Sequence, residues 1–321
     1  MVGNKETKNI FIIIGPTSTG KTSLALDLCK KFNGEIISAD SRQAVKFMDI
    51  GTGKLPVGKD LKIEKKDKCW MVNGINIWGY DLTNPNEYFS GYDFAKFALD
   101  KAKELENLDK NIFIVGGTGF YIDLFTGKVK PSHVEPDLDL RKSLEIMSLE
   151  ELQEKLNTLN PEIYKNIDKK NKVRLIRAIE KELLDPVSDS DLEYLDSEGY
   201  KFTFIGLSGP RDLLYKRSDS WVDNIWSGRI IDEVKSLVEL GFGDSPKLQG
   251  LVYKTVIDFI NGDRSSAHEK ESIQRIKYDI HSYIRRQQTW FKRNCDIEWV
   301  DISKDDFKEI IYNSIERKLI K

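Results

Sequence analysis

A glycine-rich segment near the start of the chain constrains its fold more than any other feature of the sequence. An apolar run at residues 9–14 comes directly before it, and a helical pattern starts at Ser23 directly after it. The order strand, G-x-x-x-x-G-K-[ST], helix is typical of phosphate-binding loops. Glycines let the backbone turn its N–H groups inward, and the N-terminus of the following helix favours negative charge at the same point. The predicted diphosphate-binding residues are Gly15, Pro16, Thr17, Ser18, Thr19, Gly20, Lys21 and Thr22.

Two side chains at the end of this loop carry predicted chemistry. Lys21 supplies a movable positive charge for a phosphate, and the hydroxyl of Thr22 is the predicted protein ligand for Mg²⁺, the expected cofactor. The loop by itself leaves open whether the bound phosphates belong to a nucleotide or to another diphosphate.

The segments after the loop predict an α/β fold. Strand patterns at 35–39, 75–78, 111–115 and 201–207 alternate with helical patterns, and the second of these helical patterns contains Phe94, Ala98 and Ala102. Such alternation indicates a mostly parallel sheet with helices on both faces, here a P-loop NTPase-like core. The charged segment 59–68 is predicted to be a solvated connection.

The character of the sequence changes after Pro131. Residues 137–184 are charged and helical without a strand pattern, and Ser148 and Glu151 form a capping-box pattern ahead of regularly spaced leucines. We therefore predict a helical insertion at 131–199, with an acidic connector at 185–199, in a catalytic core formed by 1–130 and 200–321.

Within the insertion a helix is predicted to place its cations on one side and its apolar residues opposite. The cations are Lys170, Arg174, Arg177 and Lys181, and the apolar residues are Val173, Ile176, Ile179 and Leu183.

Composition limits the class of protein. The chain has 321 residues, a formal net charge of -2 and 40% hydrophobic residues, which fits a globular protein that is not coated by nucleic acid over its whole surface. Its three cysteines are far apart and have no C-x-x-C spacing, so neither a disulfide framework nor a zinc ribbon is predicted. No apolar run approaches the roughly 18 residues of a membrane span, and the expected compartment is the cytoplasm.

Several motifs together resemble one family, the tRNA dimethylallyltransferases, also called tRNA isopentenyltransferases. The resemblance extends from about residue 9 to residue 301. The phosphate loop alone is shared by many families, whereas this combination of motifs is specific. The motifs are GPTSTGKT (15–22), ADSRQ with MDIGTGK (39–54), IVGGTGFYI (114–122), NKVRLIRAIE (171–180), PRDLLYKR (210–217) and IRRQQTWFKR (284–293).

The resemblance implies transfer of a dimethylallyl group from its diphosphate to the exocyclic amine of an adenosine next to the anticodon of a tRNA. Asp40 follows the second predicted strand, faces the same crevice as the phosphate loop and is the predicted general base. Thr118, Lys21 and Thr22 are the other predicted catalytic residues. A turn-capping role for Asp40 is the structural alternative. The rival functions are an adenylate isopentenyltransferase, a small-molecule kinase and a non-catalytic RNA-binding relative.

The tRNA anticodon arm is the predicted partner, because a base in an RNA loop must be unstacked and its flanking phosphates held. A solvated, salt-bridged face is the alternative reading for the cations of the insertion. Trp290 and Phe291 are predicted to be core residues. Trp221 stands where the resembling family has an arginine implicated in holding the diphosphate, so either a neighbour such as Arg217 or Arg229 takes over that contact or the affinity for the diphosphate is lowered. The chain is expected to be a monomer. The predicted tRNA-binding residues are Asp40, Ser41, Arg42, Gln43, Thr118, Arg141, Arg174, Arg177 and Arg286.

Overall fold

The computed structural model describes residues 8–54, 61–129, 136–184 and 199–320. The predicted connector at 185–199 therefore lies, apart from its last residue, outside the described residues. The chain divides into two compact units, which are described separately below. The first takes its residues from Met1–Val129 and Leu195–Lys321, and the second from Lys130–Tyr194.

The first unit is built on an eight-stranded sheet, as far as the described residues extend, with the order β3-β4-β5-β2-β6-β1-β7-β8. Pairing is parallel from β5 to β8, so the predicted mostly parallel α/β fold is confirmed. The strands are β1 Lys8–Ile14, β2 Gly34–Ser38, β3 Ile63–Lys66, β4 Cys69–Val72, β5 Ile75–Trp78, β6 Asn111–Gly116, β7 Tyr200–Ser208 and β8 Glu298–Asp301.

Helices cover both faces of this sheet. Alternate residues of β1 belong to different hydrophobic clusters: Phe11 and Ile13 pack with one set of helices, and Ile10 and Ile12 with another. A central strand buried on both faces needs an unbroken apolar run, which explains residues 10–14. The helices of the two units are α1 Lys21–Lys31, α2 Gly91–Asn107, α3 Gly119–Phe125, α4 Leu138–Glu145, α5 Leu149–Leu159, α6 Pro161–Asn166, α7 Lys172–Leu183, α8 Arg211–Ser227, α9 Ile230–Glu239, α10 Leu251–Asn261, α11 Ser266–Phe291 and α12 Phe307–Leu319.

Part of the charged segment forms a strand, contrary to the prediction of a connection. The described residues of 59–68 include β3, which pairs antiparallel with β4, and β4 pairs antiparallel with β5. Three of the four β3 residues are exposed and charged. Charges on an edge strand discourage pairing with another chain, so they fit this position.

The second unit consists of α4–α7 around its own small core. The capping box at Ser148 and Glu151 is present at the start of α5. Ile176 and Ile179 are buried as predicted, but Val173 is 76% exposed and Leu183 is 43% exposed. The predicted apolar side of α7 was therefore wrong by about one position: its buried residues are Leu175, Ile176, Ala178, Ile179 and Glu180.

None of the described helices is long and apolar enough to cross a membrane.

Candidate active site

The phosphate loop leaves the carboxyl end of β1 and leads into α1. Gly15 has φ 146°, and a Cβ there would lie 2.4 Å from the carbonyl oxygen of Leu207 on β7. Gly20 has φ 84° and immediately precedes α1. No described side chain caps α1, and its first turn contains no acidic residue. The first N–H groups of this helix thus face the loop without a side-chain acceptor, as an anion-binding helix N-terminus requires.

Lys21 lies against the loop that precedes it. Its Nζ donates a hydrogen bond to the carbonyl of Pro16 at 2.8 Å, and the hydroxyl of Thr19 donates to the same oxygen at 2.8 Å. Burial lowers the pKa of Lys21 to about 8, and the charge of Asp40 opposes this shift. An ammonium group that has lost part of its hydration interacts more strongly with an anion than one in water.

Asp40 follows β2 at the same edge of the sheet. Its Oδ1 accepts the N–H of Arg42 at 3.0 Å, so the predicted turn-capping contact is present. A Cβ on Gly117 would lie 3.9 Å from Asp40 Oδ2, which puts this carboxylate beside the glycine turn after β6. The fold therefore brings Asp40 to that turn, where a base is expected.

Thr118 joins the two turns. Its Oγ1 accepts the N–H of Ser41 at 3.0 Å and donates to the Ser41 hydroxyl at 3.3 Å. The Thr118 N–H donates to the carbonyl of Ala39 at 3.2 Å. Thr118, Ser41 and Asp40 thus form one cluster although 77 residues separate Thr118 from Ser41.

Three tyrosines experience the charge of Asp40. Burial first, and then the Asp40 carboxylate, raises the pKa of Tyr80, Tyr121 and Tyr283. Tyr121 stacks on Phe94 with ring centroids 4.4 Å apart. These phenols therefore remain protonated, and their rings lie near enough to the Asp40 carboxylate to experience its charge.

Two further predicted tRNA-binding residues, Gln43 and Arg42, have structural partners. Gln43 accepts the hydroxyl of Ser38 at 2.8 Å and donates to the carbonyls of Thr52 and Gly53 at 3.3 and 3.2 Å. The guanidinium of Arg42 donates to the carbonyl of Lys247. Both side chains hold loops in place, and their contact with tRNA stays a prediction.

The MDIGTGK motif is organised by a buried lysine that the sequence analysis did not single out. Lys54 is fully buried and contacts Asp49 at 2.9 Å and Asp81 at 2.5 Å. Glu233 accepts the N–H groups of Asp49, Ile50 and Gly51. Paired charges and a carboxylate on three backbone donors fix this loop, because an unpaired buried charge would be costly.

Trp290 and Phe291, at the C-terminal end of α11, pack in the interior as predicted. Phe291 is buried in a core cluster, and the partly buried Trp290 donates from Nε1 to Asp123 at 3.0 Å. Arg286 is exposed, with its guanidinium 5.7 Å from the Tyr283 ring centroid.

The position that departs from the family pattern lies near the MDIGTGK loop. A Cβ on Gly53 would lie 4.0 Å from Trp221, which packs against the larger core cluster. Arg217 and Arg229 are both exposed. A diphosphate role for either arginine stays a prediction.

In the second unit, two of the predicted RNA-binding arginines contact a buried carboxylate. Glu180 is fully buried; its carboxylate accepts from Arg141 at 2.9 Å, from the N–H of Asp137 at 2.8 Å and from Arg177. Burial alone would raise the pKa of Glu180, but these donors lower it below its ordinary value. Arg174 is exposed on the same helix. Arg141 and Arg177 were predicted to bind tRNA, with a salt-bridged face as the alternative, and the buried glutamate between them was not predicted.

The model of the family described as "IPP transferase" matches residues 43–294, and that of "Isopentenyl transferase" matches residues 8–77. A tRNA dimethylallyltransferase of Acetivibrio thermocellus is 36% identical over 307 residues, covering 93% of both chains. Another from Bacillus cereus is 32% identical and covers 99% of this chain and 98% of its own.

The chain belongs to the IPP transferase family.

Solved structures agree with this membership. The tRNA isopentenylpyrophosphate transferase of Bacillus halodurans superposes with a TM-score of 0.68 at 30% identity, covering 98% of this chain and 97% of the other. A eukaryotic dimethylallyltransferase acting on tRNA has a TM-score of 0.74 at 22% identity, which indicates a shared fold. The IPP transferase core thus corresponds to the sheet and loops described above.

Proposed function

We propose that this IPP transferase moves a dimethylallyl group from dimethylallyl diphosphate to the exocyclic amine of an adenosine next to the anticodon in tRNA. The observation that carries the proposal is that a phosphate loop and a carboxylate–hydroxyl cluster lie at the same edge of one sheet. The former suits a departing diphosphate, and the latter suits an amine that must lose a proton.

The chain's residues divide the reaction between them. The bond between the first carbon of the dimethylallyl group and the diphosphate oxygen breaks, and the diphosphate leaves with the electron pair. Lys21 and the N-terminus of α1 stabilise the negative charge that grows on that leaving group. A new bond forms between the carbon and the amine nitrogen, whose proton passes to Asp40. Thr118 orients the acceptor side through its hydroxyl.

Magnesium fits the donor set at this loop. The hydroxyl of Thr22 is a hard oxygen ligand in the first turn of α1, and Mg²⁺ commonly takes one or two protein oxygens together with phosphate and water oxygens. The described residues include no group of three or more His, Cys, Asp or Glu side chains that could hold a metal on their own. We therefore propose that Mg²⁺ binds through Thr22 together with the diphosphate, where it neutralises phosphate charge.

We propose that the helical insertion at 131–199 binds the anticodon arm. Its exposed cations, among them Arg174 and Lys170, are suited to phosphates, and Arg286 offers another cation on α11. Arg141 and Arg177 also carry charge there, but part of their hydrogen bonding goes to Glu180.

We further propose that the enzyme acts as a monomer in the cytoplasm. All groups assigned to the reaction come from one chain.

A comparison of possible acceptors, each tested separately, tests this function. The protein is incubated with labelled dimethylallyl diphosphate and, separately, unmodified tRNA, AMP or ATP. Label should move to tRNA alone. Transfer to AMP or ATP would favour an adenylate isopentenyltransferase. A kinase is tested with labelled ATP and no prenyl donor, and phosphate transfer there would contradict the proposal. Binding of tRNA without any transfer would indicate a non-catalytic relative.

A further inference from the structure

A buried glutamine on α11 connects the two halves of the candidate site. Gln287 is 5% exposed. Its Oε1 accepts the N–H of Thr17 in the phosphate loop at 2.9 Å, and its Nε2 donates to the carbonyl of Gly117 at 3.1 Å. These contacts join segments that lie 270 and 170 residues away in the sequence. Both ends of the amide are used, as burial of such a group requires.

One face of α11 lies along the glycine turn, residue by residue. Tyr283, Gln287 and Trp290 are spaced at i, i+4 and i+7, which puts them on one side of a helix. The Thr118 hydroxyl lowers the pKa of the Tyr283 phenol, against the larger effect of burial, which puts the two side chains near each other. A Cβ on Gly117 would lie 2.2 Å from Gln287 Nε2, and one on Gly119 would lie 2.1 Å from Trp290. These two glycines are therefore needed for the close approach of α11.

The two segments that Gln287 joins have different tasks. The phosphate loop holds the group that leaves, while the turn at Gly117 and Thr118 lies beside Asp40, where the attacking amine is expected. In a displacement reaction the attacking atom, the carbon and the leaving oxygen must be held in line, and a misplacement of about 1 Å can cost on the order of a hundredfold in rate. The separation of the two segments is therefore a property that the enzyme must control.

We propose that Gln287 is a positioning residue that sets this separation. It acts through the backbone of Thr17 and Gly117, and it touches neither of the substrates. The inference rests on the proposed function, because only a reaction between a bound diphosphate and a separate acceptor requires a fixed separation of the two segments.

The main test is Gln287→Leu, which keeps the approximate size of the side chain and removes both hydrogen bonds. We expect kcat for label transfer to tRNA to fall about tenfold to a hundredfold. The KM values for dimethylallyl diphosphate and tRNA should change much less, since each substrate keeps its own contacts.

Two controls on α11 separate positioning from stability. Gln288→Leu makes the same substitution at the neighbouring residue, whose side chain has no hydrogen bond within the described part of the chain. Ile284→Val trims a fully buried core residue one turn away. Both controls should keep kcat near the wild-type value, even where Ile284→Val lowers Tm as much as Gln287→Leu does.

A second variant gives a pH signature. In Gln287→Glu one carboxylate oxygen can still accept from Thr17, but the other faces the carbonyl of Gly117 without a proton to donate. Protonation restores that donor, so the activity of Gln287→Glu relative to wild type should rise as the pH falls. Because ionisation of a buried glutamate also lowers stability, the ratio is measured at a temperature at which Gln287→Glu stays folded at every pH. Under that condition, a ratio that does not change with pH would indicate a purely structural role.

Hydrogen exchange supplies a readout that does not depend on turnover. Amides of the segments 15–22 and 114–122 should exchange faster in Gln287→Leu and unchanged in Gln288→Leu. If wild type transfers no label, the proposed function fails, and the role of Gln287 in the reaction fails with it. If wild type is active, a Gln287→Leu variant with normal kcat, or with a loss matched by Ile284→Val at equal Tm, overturns the inference.

Discussion

Lys21 is a residue whose charge state depends on pH in a range that can be tested. Its pKa is lowered to about 8, chiefly by burial. The diphosphate binds the charged form, so its affinity should be full below pH 8 and should fall as the pH rises through 8. We expect kcat/KM for dimethylallyl diphosphate to follow this decline, measured from pH 6.5 to 9.5 with tRNA saturating.

The same shift affects stability in the opposite direction, which separates the two effects. The folded-state pKa of Lys21 lies below the ordinary value of 10.5, so between these values the unfolded chain binds more protons and stability rises with pH. Unfolding caused by the deprotonation of Lys21 therefore cannot produce the decline in kcat/KM.

Two variants test the assignment of this decline to Lys21. Lys21→Arg should move the decline to higher pH. Lys247, whose pKa is also about 8, is the matched control: Lys247→Ala should keep the decline near pH 8. A decline that is unchanged in Lys21→Arg would contradict the assignment.

Asp40 should be essential for transfer but not for the fold. In Asp40→Asn the Oδ1 atom can still accept the N–H of Arg42, so the turn is expected to survive. The amide cannot accept the amine proton, and we expect transfer to fall by about a hundredfold or more. Single-turnover rates with bound tRNA measure the loss. Near-normal turnover would remove Asp40 from the mechanism.

The hardest residues to predict from sequence are buried polar ones. Asp40 was predicted to face the phosphate loop because it follows a strand at the edge where parallel strands end, and Thr118 was assigned to the site by its match to a residue of the resembling family. The strands before them pair in parallel, so their carboxyl ends meet at one edge. Nothing local distinguishes Gln287 from its neighbour Gln288, or Glu180 from the other glutamates of its helix. Their burial depends on packing partners that are distant in the sequence.

At the level of elements, the basic surface at the start of α7 should contribute to RNA binding through Arg174 on the helix and Lys170 two residues before it. Both residues are exposed. Each phosphate contact that is lost lowers the number of counterions that tRNA releases on binding. We expect Arg174→Ala combined with Lys170→Ala to flatten the slope of log affinity for tRNA against log salt by about one to two units. Filter binding across a salt series measures this slope.

Two further variants make this test specific. Lys142→Ala with Lys165→Ala removes the same number of exposed cations from α4 and α6, and should leave the slope nearly unchanged. Arg177→Ala should instead lower the thermal stability of the insertion, since it removes one donor from buried Glu180. Equal slopes for wild type and the Arg174/Lys170 variant would mean that this surface is only solvated.

The central strands with an apolar run were predictable, and so was the short β5 at 75–78, whereas β3, β4 and β8 were not. β1, β2, β6 and β7 pair in parallel at the centre of the sheet, where burial on both faces demands continuous apolar residues. β3, β4 and β8 have four residues each and lie towards the edges, where charged residues are tolerated. Their pairing partners, not their own sequences, determine that they are strands.

At the scale of the whole molecule, the site depends on segments from across the chain. The phosphate loop, the turn at Asp40, the glycine turn and α11 span residues 15–291 and meet at one edge of one sheet. All four are recognisable in the sequence as separate motifs, the last of them as IRRQQTWFKR at 284–293. That α11 joins the other three could not be predicted, because that contact exists only in the folded chain.

The central claim is that this chain prenylates an adenosine beside the anticodon. The most direct measurement is mass spectrometry of nuclease fragments of an unmodified tRNA after incubation with the protein, dimethylallyl diphosphate and Mg²⁺. We expect the mass of one dimethylallyl group on the fragment that contains the adenosine next to the anticodon, and about a hundredfold less of it with Asp40→Asn early in the reaction. An unmodified anticodon fragment after full incubation with wild type, or a prenyl group on another nucleotide, would contradict the account.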